Sequence, residues 1–343
     1  MARATIPDIA ARSGLSSATV DRALNGRAGV SAVNRHRVLQ AARALGYLPQ
    51  EGLLPMPARP AHLAVLLPTP DRAFMAALAQ GITAKAEHHP LVAACPILPL
   101  AGIGPEALLA GIDALPATTE AVGLVATDHP ASRAAIARLS ESGVKVVTLA
   151  TDLTQSARAF YVGVDNRAAG RTAARILSLF APDAGEVALF AGSRAFLGHQ
   201  EREAGFREFL AAHSELAVRP TVETGEDAER LRTEVAAALR QQPNLVAIYC
   251  LGAGRSGIIE ALEGLPSRPT VVMHDLTRSS RTWLATGRID AIVDQNAELL
   301  AEQALLHLLG AVAGSPAALA LKHVDARLIL RENLPPDNAE ERP

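Results

Sequence analysis

Aromatic residues are scarce in this chain. Seven Phe, three Tyr and one Trp among 343 residues leave few positions at which a ligand ring could be stacked. Cysteine is scarcer still: Cys95 and Cys250 stand far apart, with no C-x-x-C and no adjacent His pair. That excludes a disulfide framework and a zinc site, predicts no bound metal, and fits a reducing compartment. Long hydrophobic runs are also missing. Pro, Gly or charge interrupts every apolar stretch before it reaches the ~18 residues a membrane span requires, and the first residues carry no apolar core of signal-peptide length. The expectation is a cytoplasmic protein with no membrane partner. Lysine is nearly absent, three against thirty arginines, a bias that says more about coding than about mechanism. Finally, no charge sign dominates: the formal net charge is −2, which argues against a nucleic-acid coat spread over the whole protein.

The length and a hydrophobic content of 49% suit two or three domains with a large interior. Charge is unevenly placed. Residues 1–50 hold seven arginines against Asp8 and Asp21, a net of +5, which leaves the remainder at −7. A compact basic head attracts phosphate, while the acidic body stays off the duplex.

Within the head, Thr5 and Asp8 have the spacing of a capping box, and Pro7 falls in a first helical turn, where its missing N–H costs little. Ile6, Ile9 and Ala10 give that helix an apolar face, and Gly14 supplies a turn. Ser16 caps a second helix with Val20, Ala23 and Leu24 as its buried stripe. Ser31 caps a third, with Val38, Ala41, Ala42 and Leu45 turned inward and Gly46 at its end. Two capped helices around a glycine turn are compatible with a helix-turn-helix and with a generic three-helix cap.

The string itself narrows this. Ile9-Ala10, Gly14-Leu15-Ser16, Ala18-Thr19-Val20, Arg22-Ala23-Leu24-Asn25-Gly26, Val30-Ser31, Arg37-Val38 and Leu45-Gly46-Tyr47 together resemble the DNA-binding head of the LacI/GalR repressor family. The resemblance implies a recognition helix from Ser17 to Asn25 in the major groove. Ser17, Ala18 and Arg22 would face base edges, with Thr5, Ser16, Thr19 and Asn25 completing the DNA surface. Arg22 alone can make a bidentate contact to guanine. Asp21 departs from the small polar residue usual in the family. So does the stretch after the head: where relatives place a hinge helix with a minor-groove leucine, Pro55 and Pro57 break any helix begun near Glu51. An extended proline-rich spacer is the expected form, with Leu53 or Leu54 as the alternative wedge.

From His62 onward, strand patterns alternate with amphipathic helices. Strands are predicted at 62–67, 121–126, 144–149, 160–164, 186–191, 245–251, 270–274 and 289–294. Helices are predicted at 73–88, 131–142, 166–180, 199–212 and 296–309. Alternation over this length predicts an α/β fold of two lobes with parallel sheets, binding its ligand at the carboxyl ends of the strands. Asp71-Arg72, Asp128, Asp152, Asp165-Asn166, Asp275 and Gln295 all follow strands. The stretches 161–174, 202–210 and 273–305 resemble the periplasmic sugar-binding fold that the same repressor family carries, its ribose-binding-like branch in particular. That resemblance implies an effector site of Arg72, Phe74, Asp152, Arg202, Asp275 and Gln295, in which forked charged groups take a polyol's hydroxyls and an aromatic covers its apolar face.

The domain plan is then a helix-turn-helix head (1–48), a proline-rich linker or hinge (49–61), an effector-binding and dimerisation domain (62–333) and a short polar tail (334–343). A homodimer on a pseudo-palindromic operator, repressing transcription and answering to a sugar or polyol effector, follows from the resemblance. No cofactor is expected, nor enzymatic activity. The competing reading rests on Gly252-x-Gly254-x-x-Gly257, which follows a strand and opens a helix, with Asp275 about twenty residues on. It would make the protein an NAD(H)-sensing regulator or a dehydrogenase. The motif lies late in the chain, though, and no catalytic constellation of His, Ser or Cys accompanies it.

Overall fold

The computed structural model describes residues 5–24, 29–45, 56–68, 73–225, 227–252, 255–314 and 324–336. Three helices form the head: α1 (Ile6–Ser13), α2 (Ser17–Leu24) and α3 (Ala32–Ala44). The Thr5 N–H donates to the Asp8 carboxylate at 2.8 Å, and the Ser16 and Ser31 hydroxyls accept from the Thr19 and Asn34 N–H groups. Gly14 takes a left-handed φ of +67°, closing α1. Ile9, Val20, Ala23, Val38, Ala41 and Ala42 make the small core predicted for a helix-turn-helix. The linker is described only from Met56, where residues 56–60 are non-helical; Leu53 and Leu54 lie outside the described residues.

The body begins with β1 (Ala61–Pro68), α4 (Ala73–Glu87), β2 (Val92–Ala94), β3 (Ile97–Leu100), α5 (Pro105–Asp113), β4 (Ala121–Leu124), α6 (Pro130–Glu141), β5 (Lys145–Leu149) and β6 (Phe160–Val162). These strands form one parallel sheet in the order β2-β1-β4-β5-β6, with β3 joining β1 beyond β2. The chain then crosses to a second lobe: α7 (Asn166–Phe180), β7 (Ala184–Ala191), α8 (Leu197–His213), β8 (Glu215–Val218), β9 (Val222–Glu223), α9 (Ala228–Gln241), β10 (Leu245–Cys250), α10 (Ser256–Ala261), β11 (Thr270–His274), α11 (Arg278–Ala285) and β12 (Ala291–Asp294). It returns through Gln295-Asn296 to α12 (Ala297–Val312), which packs on the first lobe, and ends in the second with β13 (Arg327–Ile329). The second sheet runs β8-β7-β10-β11-β12-β13, parallel except for β13, with β9 also on β7. Each sheet reverses its strand order once, between β1 and β4 and between β7 and β10. Crevices open at such reversals, outside the carboxyl ends of the strands.

Both faces of each sheet are covered, so the strands are apolar on both sides. Leu63, Val65 and Leu67 of β1 enter one core and Ala64 and Leu66 the other; Val187, Leu189 and Ala191 of β7 likewise oppose Ala188 and Phe190. The eight predicted strands are all present. The helix opened by the glycine string is present as α10; helices α5, α9 and α11, and strands β2, β3, β8, β9 and β13, were not anticipated.

One helix pair positions the site. Gly170 of α7 and Gly205 of α8 let the two backbones touch: a β-carbon at Gly170 would overlap the carbonyl of Arg202, and one at Gly205 would overlap the carbonyl of Arg167. Gly170→Ala is therefore expected to destabilise the body by about 3 kcal/mol and lower Tm by roughly 5–10 °C. Calorimetric melting checks this; an unchanged Tm would mean that the helices can part without cost.

Candidate functional site

The first surface is on α2. Ser17, Ala18 and Arg22 are exposed and Thr19 half-buried, while Val20 and Ala23 on the opposite side are held in the head core. Arg22 is exposed, and its Nε donates to the Ala18 carbonyl at 3.2 Å. Ser16 and Thr19 share a hydroxyl–hydroxyl contact of 2.8 Å at the helix start, and Thr5 is exposed at the start of α1. Asn25 lies outside the described residues.

The second surface is a cavity of about 90 Å³ between the lobes, at the carboxyl ends of both sheets. Its two walls differ in chemistry. The first lobe contributes chiefly apolar groups, among them Phe74, Met75, Ile103, Val125 and Ala150. The second contributes His199, Arg202, Arg255 and Asp275, together with Phe196 and Gly252, and Gln295 enters from the connection into α12. Two hydrogen bonds tie the lobes at its rim: the Gly198 N–H donates to the Thr151 hydroxyl at 3.0 Å, and the Asp128 N–H to the Ala195 carbonyl at 3.0 Å.

Arg202 is buried on α8. Its Nε donates to Asn166 Oδ1 at 2.8 Å and its Nη1 to the Leu251 carbonyl at 2.9 Å. Asn166 is fixed in turn by Tyr161, whose hydroxyl accepts from its amide at 3.1 Å and donates to the Val164 carbonyl at 3.0 Å. Asp275 follows β11 in a left-handed conformation, φ +68°, which carboxylates tolerate better than most side chains. One of its oxygens accepts from Gln295 Nε2 at 2.7 Å and the other from Arg255 Nη1 at 3.2 Å; Arg255 also holds the His274 carbonyl. Gln295 Oε1 is buried without a donor.

Of the effector residues expected from sequence, Phe74, Arg202, Asp275 and Gln295 are brought together here. Arg72 lies outside the described residues. Asp152 is a correction: it is not in the cavity lining, because its carboxylate is clamped by Arg158, with Nη2 at 2.5 Å, and by the Thr148 hydroxyl at 2.8 Å. Ala150, at φ +59°, and Thr151 occupy the wall instead. Arg255 and His199 were missed. Arg255 lies inside the glycine string, between Gly254 and Gly257.

That string does not favour a dinucleotide site. A β-carbon on Gly252 would lie 3.0 Å from His199 and 3.1 Å from the Gly192 nitrogen, so this glycine does allow a close approach at the cavity. Gly257, by contrast, packs α10 against the Ala228 carbonyl, away from any ligand. Gly254 is outside the described residues.

His199 lines the cavity, and His274 ends β11 just before Asp275. His199 Nδ1–H donates to the Ser193 carbonyl at 2.7 Å, and burial, followed by the Arg202 charge, pushes its pKa down to about 4. His274, bonded to the Tyr249 hydroxyl at 2.7 Å, is held well below the usual range, first by burial and then by Arg202, His199 and Arg255. In the unfolded chain both take a proton near pH 6.5, whereas the folded protein resists it. The unfolded state therefore binds more protons as pH drops, and stability present above pH 6.5 is lost toward pH 4. His199→Asn is expected to recover about 1–2 kcal/mol of the loss between pH 7 and pH 5. Denaturant melts at both pH values test this, and an identical loss in the variant would contradict it.

Among the described residues, no helix is long and apolar enough to cross a membrane, and no cluster of His, Cys, Asp or Glu could hold a metal.

Among curated proteins nothing matches the sequence. Solved structures share the fold of the body. The glucose-galactose binding protein GanP from Geobacillus stearothermophilus is 21% identical, with a TM-score of 0.72 over 81% of this chain and all of its own. A solute-binding protein of an ABC transporter from Burkholderia graminis, in complex with D-arabinose, is 22% identical, with a TM-score of 0.72 over 81% of this chain and 97% of its own. One from Agrobacterium vitis, with bound D-fucose, is 18% identical, with a TM-score of 0.72 over 82% and 99%. The family model of the periplasmic binding protein domain matches residues 63–316, and that of bacterial regulatory proteins, lacI family, matches residues 5–50. The chain thus belongs to the periplasmic-binding-protein domain family and joins that domain to the DNA-binding head of a lacI-family bacterial regulatory protein.

Proposed function

We propose that the protein is a transcription repressor that reads a pseudo-palindromic operator as a homodimer and is governed by a small sugar or polyol-like effector between its lobes. The observation that carries this reading is the two-walled cavity. A buried set of forked polar groups (Arg202, Asp275, Gln295) faces a wall containing Phe74, the pairing a polyol ring asks for. The arabinose and fucose held by proteins of the same fold support it.

The division of labour follows the domain plan: residues 1–48 bind DNA, 49–61 link, 62–333 bind effector and dimerise, and 334–343 form a polar tail. Ser17, Ala18 and Arg22 read bases, while Thr5, Ser16, Thr19 and Asn25 meet the backbone. Effector bonded to Arg202 and Asp275 on one side and packed on Phe74 on the other favours the closed cleft, whose rim bonds are Thr151–Gly198 and Asp128–Ala195. Closure changes the relation of the two heads and hence operator affinity. Each head binds weakly alone, and their linkage raises the effective concentration of the second.

Selection from a pool of random duplexes tests the DNA half of this account. Enrichment of two inverted half-sites is expected; recovery of unrelated sequences would contradict it.

A further inference from the structure

The charges in the cavity do not balance. Of the described lining residues, Arg202 and Arg255 are cations and Asp275 is the single carboxylate. Asp275 is paired with Arg255 at 3.2 Å. Arg202, only 4% exposed, is left with neutral oxygens alone: the Asn166 amide and the Leu251 carbonyl. Neutral acceptors take two of its N–H groups but do not balance its charge, and a buried cation without a counter-charge is costly. The count is of the described lining residues; 69–72 and 253–254 lie outside them. Asp152, which could have restored neutrality, is spent on Arg158.

Building on the cleft reading above, we propose that the effector is a sugar acid: a polyhydroxylated molecule with one carboxylate, seated on Arg202. Two of the guanidinium's five N–H groups are used, so its fork can still take a carboxylate. Gln295 Oε1, buried with no donor, calls for a ligand hydroxyl at the other end of the same molecule. Phe74 and Phe196 offer apolar surface to the C–H face of the carbon skeleton. Among the described lining residues, one net positive charge matches one carboxylate. A phosphate monoester brings about −1.5 to −2 and would overshoot, while a neutral sugar leaves Arg202 unmatched. His199 adds no cation at neutral pH, since burial holds its pKa at about 4.

Calorimetry on the full-length protein tests the proposal. D-glucuronate, D-galacturonate, D-gluconate and D-galactonate are titrated beside D-glucose, D-galactose, sorbitol, galactitol and D-glucose 6-phosphate. At least one acid is expected to bind 100-fold or more tightly than its neutral counterpart. The second arm supplies the missing carboxylate in the protein. Ala150 lines the cavity at φ +59°, a conformation aspartate accepts, and its carbonyl receives the same Asn166 amide group that lies beside Arg202. Ala150→Asp is expected to weaken the acid at least 10-fold and to narrow its advantage over the neutral sugar. Neutral sugars or the phosphate binding as tightly as the acids would overturn the proposal and leave the cleft reading standing. So would an acid-to-neutral ratio unmoved by Ala150→Asp. Absence of binding by every compound would overturn both.

Discussion

Replacing Arg22 by alanine is expected to weaken binding to the selected operator at least about 30-fold, at 1–3 kcal/mol for each of two heads, while binding to random DNA falls only severalfold. The asymmetry follows from where the side chain sits. Ser17 and Ala18 offer a hydroxyl and a methyl, so the exposed guanidinium is the one group on this face of α2 able to grip a base edge twice. Its removal leaves the head intact, because Arg22 makes one bond to its own helix and alanine is the best helix former. Fluorescence anisotropy on both duplexes at one salt concentration measures the two losses. Equal losses would assign Arg22 to phosphate rather than to base reading.

Asp275→Ala is expected to remove effector binding, by 100-fold or more, while leaving effector-free operator binding in place. The carboxylate closes a small network: without it Arg255 keeps only a carbonyl, Gln295 loses its acceptor, and two buried cations face one cavity. Breaking a buried pair in this way costs about 3–5 kcal/mol. Alanine at φ +68° adds about 1–2 kcal/mol of backbone strain. Asp275→Asn separates the two causes, since asparagine tolerates the left-handed conformation. It is expected to melt above the alanine variant yet still bind effector poorly. An asparagine variant with unchanged effector affinity would sink the assigned role of the charge.

Much of this molecule was legible because local and global signals agree. The caps at Thr5, Ser16 and Ser31, the glycine turn and the apolar stripes of the head all point the same way, and so do the β-branched strands of the body. Arg202, Asp275 and Gln295, which the resemblance named, line one cavity, and Asp275 and Gln295 also follow strands. Asp152 obeyed the same rule and was misplaced. The left-handed turn at Ala150 rotates the chain after β5, and no sequence pattern announces a positive φ at alanine. Helix α11 was hidden by its composition, RSSRTWLA, in which Ser280 completes a capping box with the preceding Thr277 rather than a loop. Helix α9 was legible and overlooked: Asp227 caps it, and Leu231 and Val235 stand one turn apart in the core. Arg255 could not be assigned from sequence, since its pairing with Asp275 is made between separate strand ends.

The account turns on coupling between cleft and head, and one measurement reaches it most directly. Operator affinity is determined by anisotropy over a series of effector concentrations, using whichever sugar acid or sugar binds the cleft, and effector affinity is determined by calorimetry with and without operator. A coupling of about 1–3 kcal/mol, or 5- to 150-fold, equal in both directions and abolished in Asp275→Asn, is the predicted result. Operator affinity that ignores a saturating cleft ligand would contradict the account.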